Sequence, residues 1–276
     1  MKKIIVPVDF SGHSEYALRV AADIARKHNA ELYLLHMLDI SDQMISITEG
    51  TKRRELIFFM ELAKKRFEEF IDRDFIQGIN TVPVIKHFKV FEEIDNAAKE
   101  VGADLIVMGS RGASGVKGYF VGSNTEKVVR TSDIPVLVVK TETNNFEPKT
   151  IVFASDFNTE NLDAFKTIKK FADYYKATIK MVYVNTPNAY FKNTLEIREQ
   201  MRQFLNKTSI SNNSADLIIF NDYSVTEGIL NAAEMLNADM IAIPTHGRKG
   251  INKLLAGSVG EDLANTSHIP VLTVKI

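Results

Sequence analysis

The chain has no cysteine and no tryptophan among its 276 residues. Without thiols there is no disulfide, no thiolate nucleophile and no Cys-ligated zinc. Charge of one sign is missing too. Lys and Arg number 34 against 35 Asp and Glu, a net charge of −1, so a whole-protein basic field for nucleic acid or an anionic membrane is excluded. No apolar run approaches the ~20 residues that span a bilayer. Met1-Lys2-Lys3 ahead of Ile4-Ile5-Val6-Pro7-Val8 has the charge of a signal peptide, but Asp9 ends the run too soon, and it reads as a buried strand. The expected setting is cytoplasmic. What is present is an ordinary globular balance, 45% apolar and 25% charged.

The chain repeats itself. Ile4-Ile5-Val6-Pro7-Val8-Asp9-Phe10-Ser11 matches Ile151-Val152-Phe153-Ala154-Ser155-Asp156-Phe157-Asn158 at an offset of 147 residues. Ala103–Met108 matches Ala238–Ile243, Gly122-Ser123 matches Gly257-Ser258, and Asp133–Leu137 matches His268–Leu272, all at an offset of 135. Order is kept, so the second copy is 12 residues shorter in its middle. Thr141–Pro148 is polar, carries a proline and separates two strand signals, which is linker composition. The expected domains are residues 1–141 and 149–276.

Within the first copy, strands are expected at Lys3–Val8, Leu32–His36, Thr81–Lys86, Leu105–Met108 and Val136–Val139, and helices at Ser14–His28, Lys52–Asp72, Phe91–Glu100 and Glu126–Arg130. Near-continuous apolar strands are buried on both faces, as in parallel sheets. Strand–helix alternation with right-handed crossovers gives a doubly wound α/β domain, one per copy. Such sheets bind ligands outside the carboxyl ends of their strands, where the strand order reverses.

After the fourth strand comes Gly109-Ser110-Arg111-Gly112, nine residues, then Gly122-Ser123. Glycines allow close backbone approach and positive φ, and Ser123-Asn124-Thr125-Glu126 opens a helix whose free N–H groups make an anion site. Ser and Thr hydroxyls would add donors for a polyphosphate. Ser123-x-x-Glu126 is equally a capping box, repeated by Ser258-x-x-Glu261. That reading needs no ligand but leaves three glycines unexplained. Asp9 fits an N-cap as well as a ligand role, although Ser11 could cap instead. Arg111 and Lys117 read either as phosphate-neutralising or as solvated loop charges.

At this loop, and at Val6-Pro7-Val8-Asp9-Phe10-Ser11, the chain resembles the universal stress protein family in its tandem form, once per half. The resemblance implies a Rossmann-like nucleotide-binding alpha hydrolase-like fold: a five-stranded parallel sheet of order 3-2-1-4-5 in each domain. It implies that members with this loop bind ATP, or AMP or ADP in its place, with Mg as accompanying ion left open. Carried over, Asp9 sits at the ribose and adenine side. Pro7 and Val8 line the base pocket with Met37, and Met108 and Gly109 lie under the nucleotide. Gly112, Gly122, Ser123 and Asn124 hold the phosphates.

The second copy departs from this pattern. Pro244-Thr245-His246-Gly247 replaces the first glycine with a proline, and Gly260 stands where Thr125 stands, removing a hydroxyl. Proline fixes φ and has no N–H, so one competent and one degenerate site are expected. His246 has no partner at metal spacing, and His13, His28, His36, His87 and His268 form no ligand cluster. A Walker loop, a metal-binding acidic pair and the His-x-Gly-His and Ser-Gly-Gly-x-Asp-Ser signatures are all missing. Turnover is therefore expected to be absent or slow. The readings carried forward are a nucleotide-binding stress regulator, a scaffold acting through protein contacts, and a weak ATPase. Val136–Lys140 and Val271–Lys275 suit pairing within the chain, which would hide two apolar edges. A dimer of whole chains and the protein partner are left open.

Overall fold

The computed structural model describes residues 1–38, 49–87, 90–110, 123–188, 191–208, 216–245 and 256–276. They fall into two compact units, Met1–Val128 with Val136–Phe146, and Val129–Pro135 with Glu147–Ile276.

The first half runs β1 (Lys3–Pro7), α1 (Gly12–His28), β2 (Glu31–Leu38), α2 (Glu49–Ile71), β3 (Thr81–His87), α3 (Val90–Val101), β4 (Leu105–Gly109), α4 (Ser123–Thr131) and β5 (Val136–Val139). Its strands lie parallel in the order β3-β2-β1-β4-β5. Ile4, Ile5 and Val6 of β1 and all of β4 are buried, as an inner strand covered on both faces requires. Helix α1 contributes Ala17, Leu18, Ala21, Ile24 and Ala25 at helical spacing to this core.

The second half runs β6 (Thr150–Ala154), α5 (Leu162–Tyr175), β7 (Thr178–Asn185), α6 (Thr194–Asn206), β8 (Asp216–Asn221), α7 (Val225–Met235), β9 (Met240–Thr245), α8 (Ala256–Thr266) and β10 (Val271–Lys275). Its parallel order is β8-β7-β6-β9-β10. Both halves therefore carry the order 3-2-1-4-5. Much of the shortening of the second copy falls in one helix, since α6 has 13 residues where α2 has 23.

The duplication extends to backbone conformations that side chains rarely adopt. Phe10 and Phe157, at matching positions, have φ of 62° and 56°. Asn29 and Lys176 close α1 and α5 at 51° and 54°, and Gly102 and Asn237 follow α3 and α7 at 65° and 49°. Two expectations need correction. Helix α4 starts at Ser123 itself and α8 at Ala256, so Ser258 is the third residue of its helix and cannot be the N-cap of a capping box, which lies outside the helix. The polar stretch Thr141–Pro148 is also more than a spacer. The Phe146 ring is buried, and its N–H donates to Asp23 Oδ2 of α1 at 2.8 Å.

Candidate functional site at the strand carboxyl ends

Strands β2, β1 and β4 are neighbours, and the chain order reverses between β1 and β4. Pro7 ends β1, paired with Leu35, and the Val8 N–H continues the ladder to the Leu35 carbonyl at 2.8 Å. The chain then leaves the sheet through Asp9 and the left-handed Phe10. Asp9 Oδ1 accepts from the Ser11 N–H at 3.0 Å and from the Ser11 hydroxyl at 2.6 Å, an Asx turn that holds Phe10 in place. The Ser11 oxygen accepts in turn from the Ser14 N–H at 3.3 Å. Ser11 is the N-cap of α1, and Asp9 shapes the turn instead.

Met37 lies near the end of β2, half-buried and paired with Lys86 of β3. Met108 and Gly109 end β4, both buried. Pro7, Val8, Asp9, Met37, Met108 and Gly109 thus share one edge of three adjacent strands. The buried Thr125 hydroxyl of α4 donates to the Gly109 carbonyl at 2.9 Å. That bond ties the start of α4, with Ser123 and the half-buried Asn124, to the same edge. Gly112 and Gly122 lie outside the described residues, as do Arg111, Lys117 and His246.

Two readings of residue type change. Gly109 does not have positive φ. Its hydrogen faces the first turn of α1, where a Cβ would stand 2.7 Å from the His13 carbonyl oxygen and 2.9 Å from its carbon. Helix packing by itself is enough to require this glycine. Thr125 is spent on Gly109 and is no phosphate donor.

Three side chains at this edge escaped the sequence reading. The Ser110 hydroxyl, 1% exposed, and the buried His13 Nδ1 find no hydrogen-bond partner among the described residues. An unpaired buried polar group costs roughly 1–3 kcal/mol, so both call for a partner outside the described residues. The third is His36, whose Nδ1 lies 2.8 Å from the Val8 carbonyl oxygen. Burial holds its pKa below the ordinary imidazole value. The Val8 bond and the Asp9 charge oppose that shift, and Arg66 adds to it. One polar residue inside the apolar run Leu34-Leu35-His36-Met37 was the available signal.

The second copy fills its matching edge with its own amides. Asp156 Oδ1 accepts from the Asn158 N–H at 3.0 Å and from Asn161 Nδ2 at 2.6 Å, and its Oδ2 accepts from Asn158 Nδ2 at 2.6 Å. Gln200 of α6 donates to the Asp156 carbonyl at 2.6 Å, and Lys192 donates to Gln200. An open groove of about 900 Å³ remains between this turn and α6, lined by residues including Phe157, Glu160, Leu195 and Glu199. Where α1 has its first turn, a 3-10 turn at Thr159–Asn161 stands. Pro244 sits in β9, whose pairing with β6 stops at Ala242. Ile241 N–H points to β10, so alternation turns the Pro244 nitrogen to the β6 side, beyond that pairing. The sheet loses no rung to it.

Among the described residues no three His, Asp or Glu gather to hold a metal, and no helix is long and apolar enough to cross a membrane.

The fold and its edge define a tandem pair of doubly wound α/β domains of the 3-2-1-4-5 class. A family model, the universal stress protein family, matches residues 1–140 and again 147–275. The chain belongs to that family. Universal stress protein YxiE of Bacillus subtilis is 31% identical over 152 residues, covering 50% of this chain and 98% of its own length. Universal stress protein MJ0531 of Methanocaldococcus jannaschii is 32% identical over 146 residues, covering 50% and 82%. A universal stress protein from Archaeoglobus fulgidus has the same fold at full length, with a TM-score of 0.74, 22% identity, and coverage of 99% of this chain and 96% of that one.

Proposed function

We propose that the protein is a stress-response regulator that binds an adenine nucleotide, ATP foremost, in its first copy. The observation that carries the reading is the gathering of Pro7, Val8, Asp9, Met37 and Met108 on one edge at the strand-order reversal, ahead of the Gly109–Ser123 sequence. Doubly wound sheets take ligands there. Pro7, Val8 and Met37 would flank the base and Asp9 the ribose. Gly112, Gly122, Ser123 and Asn124 would meet the phosphates, whose charge the start of α4 favours. A bound polyphosphate would bring Mg with it. Binding is the proposed activity, with at most slow hydrolysis, in a cytoplasmic setting. In the second copy the side chains of Asn158 and Asn161 occupy both oxygens of the matching Asp156, and that copy is read as the silent one.

Isothermal titration with ATP tests this. One equivalent bound per chain, abolished by Gly122→Val, is the expected result. No heat from the wild-type protein at tens of micromolar would overturn it.

A further inference from the structure

His36 is a polar residue in an apolar strand that the nucleotide reading leaves unused. A carbonyl has no proton to give, so its Nδ1 must donate to the Val8 oxygen. Pairing of β1 with β2 ends at Pro7 and Leu35, the Val8 N–H adds one bond to the Leu35 carbonyl, and the imidazole takes the Val8 carbonyl. Its ring also packs on Phe10, with centroids 4.5 Å apart. We propose that His36 is a positioning residue for the base-binding turn, setting Pro7-Val8-Asp9 through its bond to Val8 and its contact with Phe10. The inference rests on the nucleotide reading of the first copy.

The turn needs such a restraint. A left-handed phenylalanine is strained and persists only where its surroundings over-determine it. Here the Asp9–Ser11 bonds hold one side of the turn. Phe67 and Phe70 meet the Phe10 ring at 5.4 and 5.5 Å. His36 alone of these groups touches both Phe10 and the Val8 carbonyl, and Val8 is the residue assigned to the base.

The second copy supplies the contrast. At an offset of 147 residues, Tyr183 stands in place of His36. Its phenol is buried near Asp156, and both burial and that charge raise its pKa. A tyrosine carries its donor at the far end of the ring, whereas Nδ1 is bonded directly to Cγ. No tyrosine rotamer reproduces that donor, but an asparagine Nδ2 sits at the same bond count from the backbone.

The experiment titrates ATP and adenosine into the full-length wild type and into His36→Ala, His36→Asn and His36→Tyr, each checked for a cooperative melt. The expected result is a loss of about five- to tenfold in affinity for both ligands in His36→Ala and His36→Tyr. His36→Asn stays within about twofold of wild type, because it restores the donor. Gly122→Val, by contrast, weakens ATP and spares adenosine. Wild-type affinity in folded His36→Ala, or an Asn variant as weak as Tyr, overturns the positioning role while nucleotide binding stands. If His36→Ala does not fold, the Asn and Tyr pair decides the matter alone. A wild type that binds neither ligand overturns the nucleotide reading and this inference with it.

Discussion

Gly109→Ala separates packing from ligand binding at the most conspicuous glycine of the loop. The added methyl would meet His13 backbone, its carbonyl oxygen at 2.7 Å and carbon at 2.9 Å. Real Cβ contacts are not that short, and the obstacle is a helix backbone rather than a yielding side-chain tip. Either α1 shifts on the sheet or β4 bends, and the Thr125–Gly109 bond is strained with it. Overpacking of this kind costs about 1–3 kcal/mol. For a unit of this size each kcal/mol lowers Tm by about 2–4 °C, so the first domain should melt several degrees lower in calorimetry of the full chain. Gly12→Ala is the control. It sits at the start of α1 with nothing within 4 Å of the added carbon and no positive φ, so its stability should stay within about 0.5 kcal/mol of wild type or rise slightly. A Gly109→Ala protein as stable as wild type that has lost only ATP binding would refute the packing argument and return this glycine to the ligand.

Three further outcomes follow from the same geometry. Thr125→Val keeps the shape but strands the Gly109 carbonyl, and denaturant titration should show a loss of ~1–3 kcal/mol, with ATP affinity falling as well because this bond ties the start of α4 to the edge of the site. Acidification should destabilise the protein through His36. Its folded pKa lies below the ordinary 6.5, so below that value the unfolded chain binds the extra proton and stability falls as pH drops through the folded pKa. Tm measured from about pH 7.5 down to about pH 5.5 should therefore decline less in His36→Asn than in wild type. Pro244→Gly should leave ATP stoichiometry at one per chain, because the Asp156 carboxylate remains bonded to Asn158 and Asn161. A second equivalent in calorimetric titration would show that the proline alone silences the copy.

The sequence carried the sheet well and the site unevenly. Val136–Val139 and the β1 run were legible because an inner parallel strand is apolar on both faces, a property of a few adjacent residues. The start of α4 was misplaced because Ser-x-x-Glu is a cap signature that a helix interior can also contain. The packing role of Gly109 was not legible for a nonlocal reason: what its missing Cβ avoids is α1, nearly a hundred residues earlier in the chain. The strained φ of Phe10 left no trace, since phenylalanine is not a residue that announces a left-handed turn. His36 was visible as a polar residue in β2, but its partner, the Val8 carbonyl, belongs to a neighbouring strand.

The proposed inequality of the two copies therefore does not rest on Gly109 against Pro244 alone. Gly109 answers to His13, and Pro244 lies where the sheet needs no N–H. Nor does the retained aspartate mark a working site. Asp9 and Asp156 both brace a left-handed phenylalanine through the residue two positions on, and that task alone would preserve the Asp-Phe pair in each copy. What differs is the company each carboxylate keeps. In the second copy Asn161 reaches it from the 3-10 turn that replaces the first turn of α1, and Gln200 closes on its carbonyl from the shortened helix. A ribose hydroxyl would have to displace side-chain amides already bonded at 2.6 Å, and the buried Asn161 among them would have to keep its donor satisfied elsewhere. In the first copy the position matching Asn161 is Ser14, whose hydroxyl donates to the Ser11 carbonyl at 2.9 Å and not to Asp9. The second copy has closed its polar groups on one another, and on the proposed reading this is what separates it from the first.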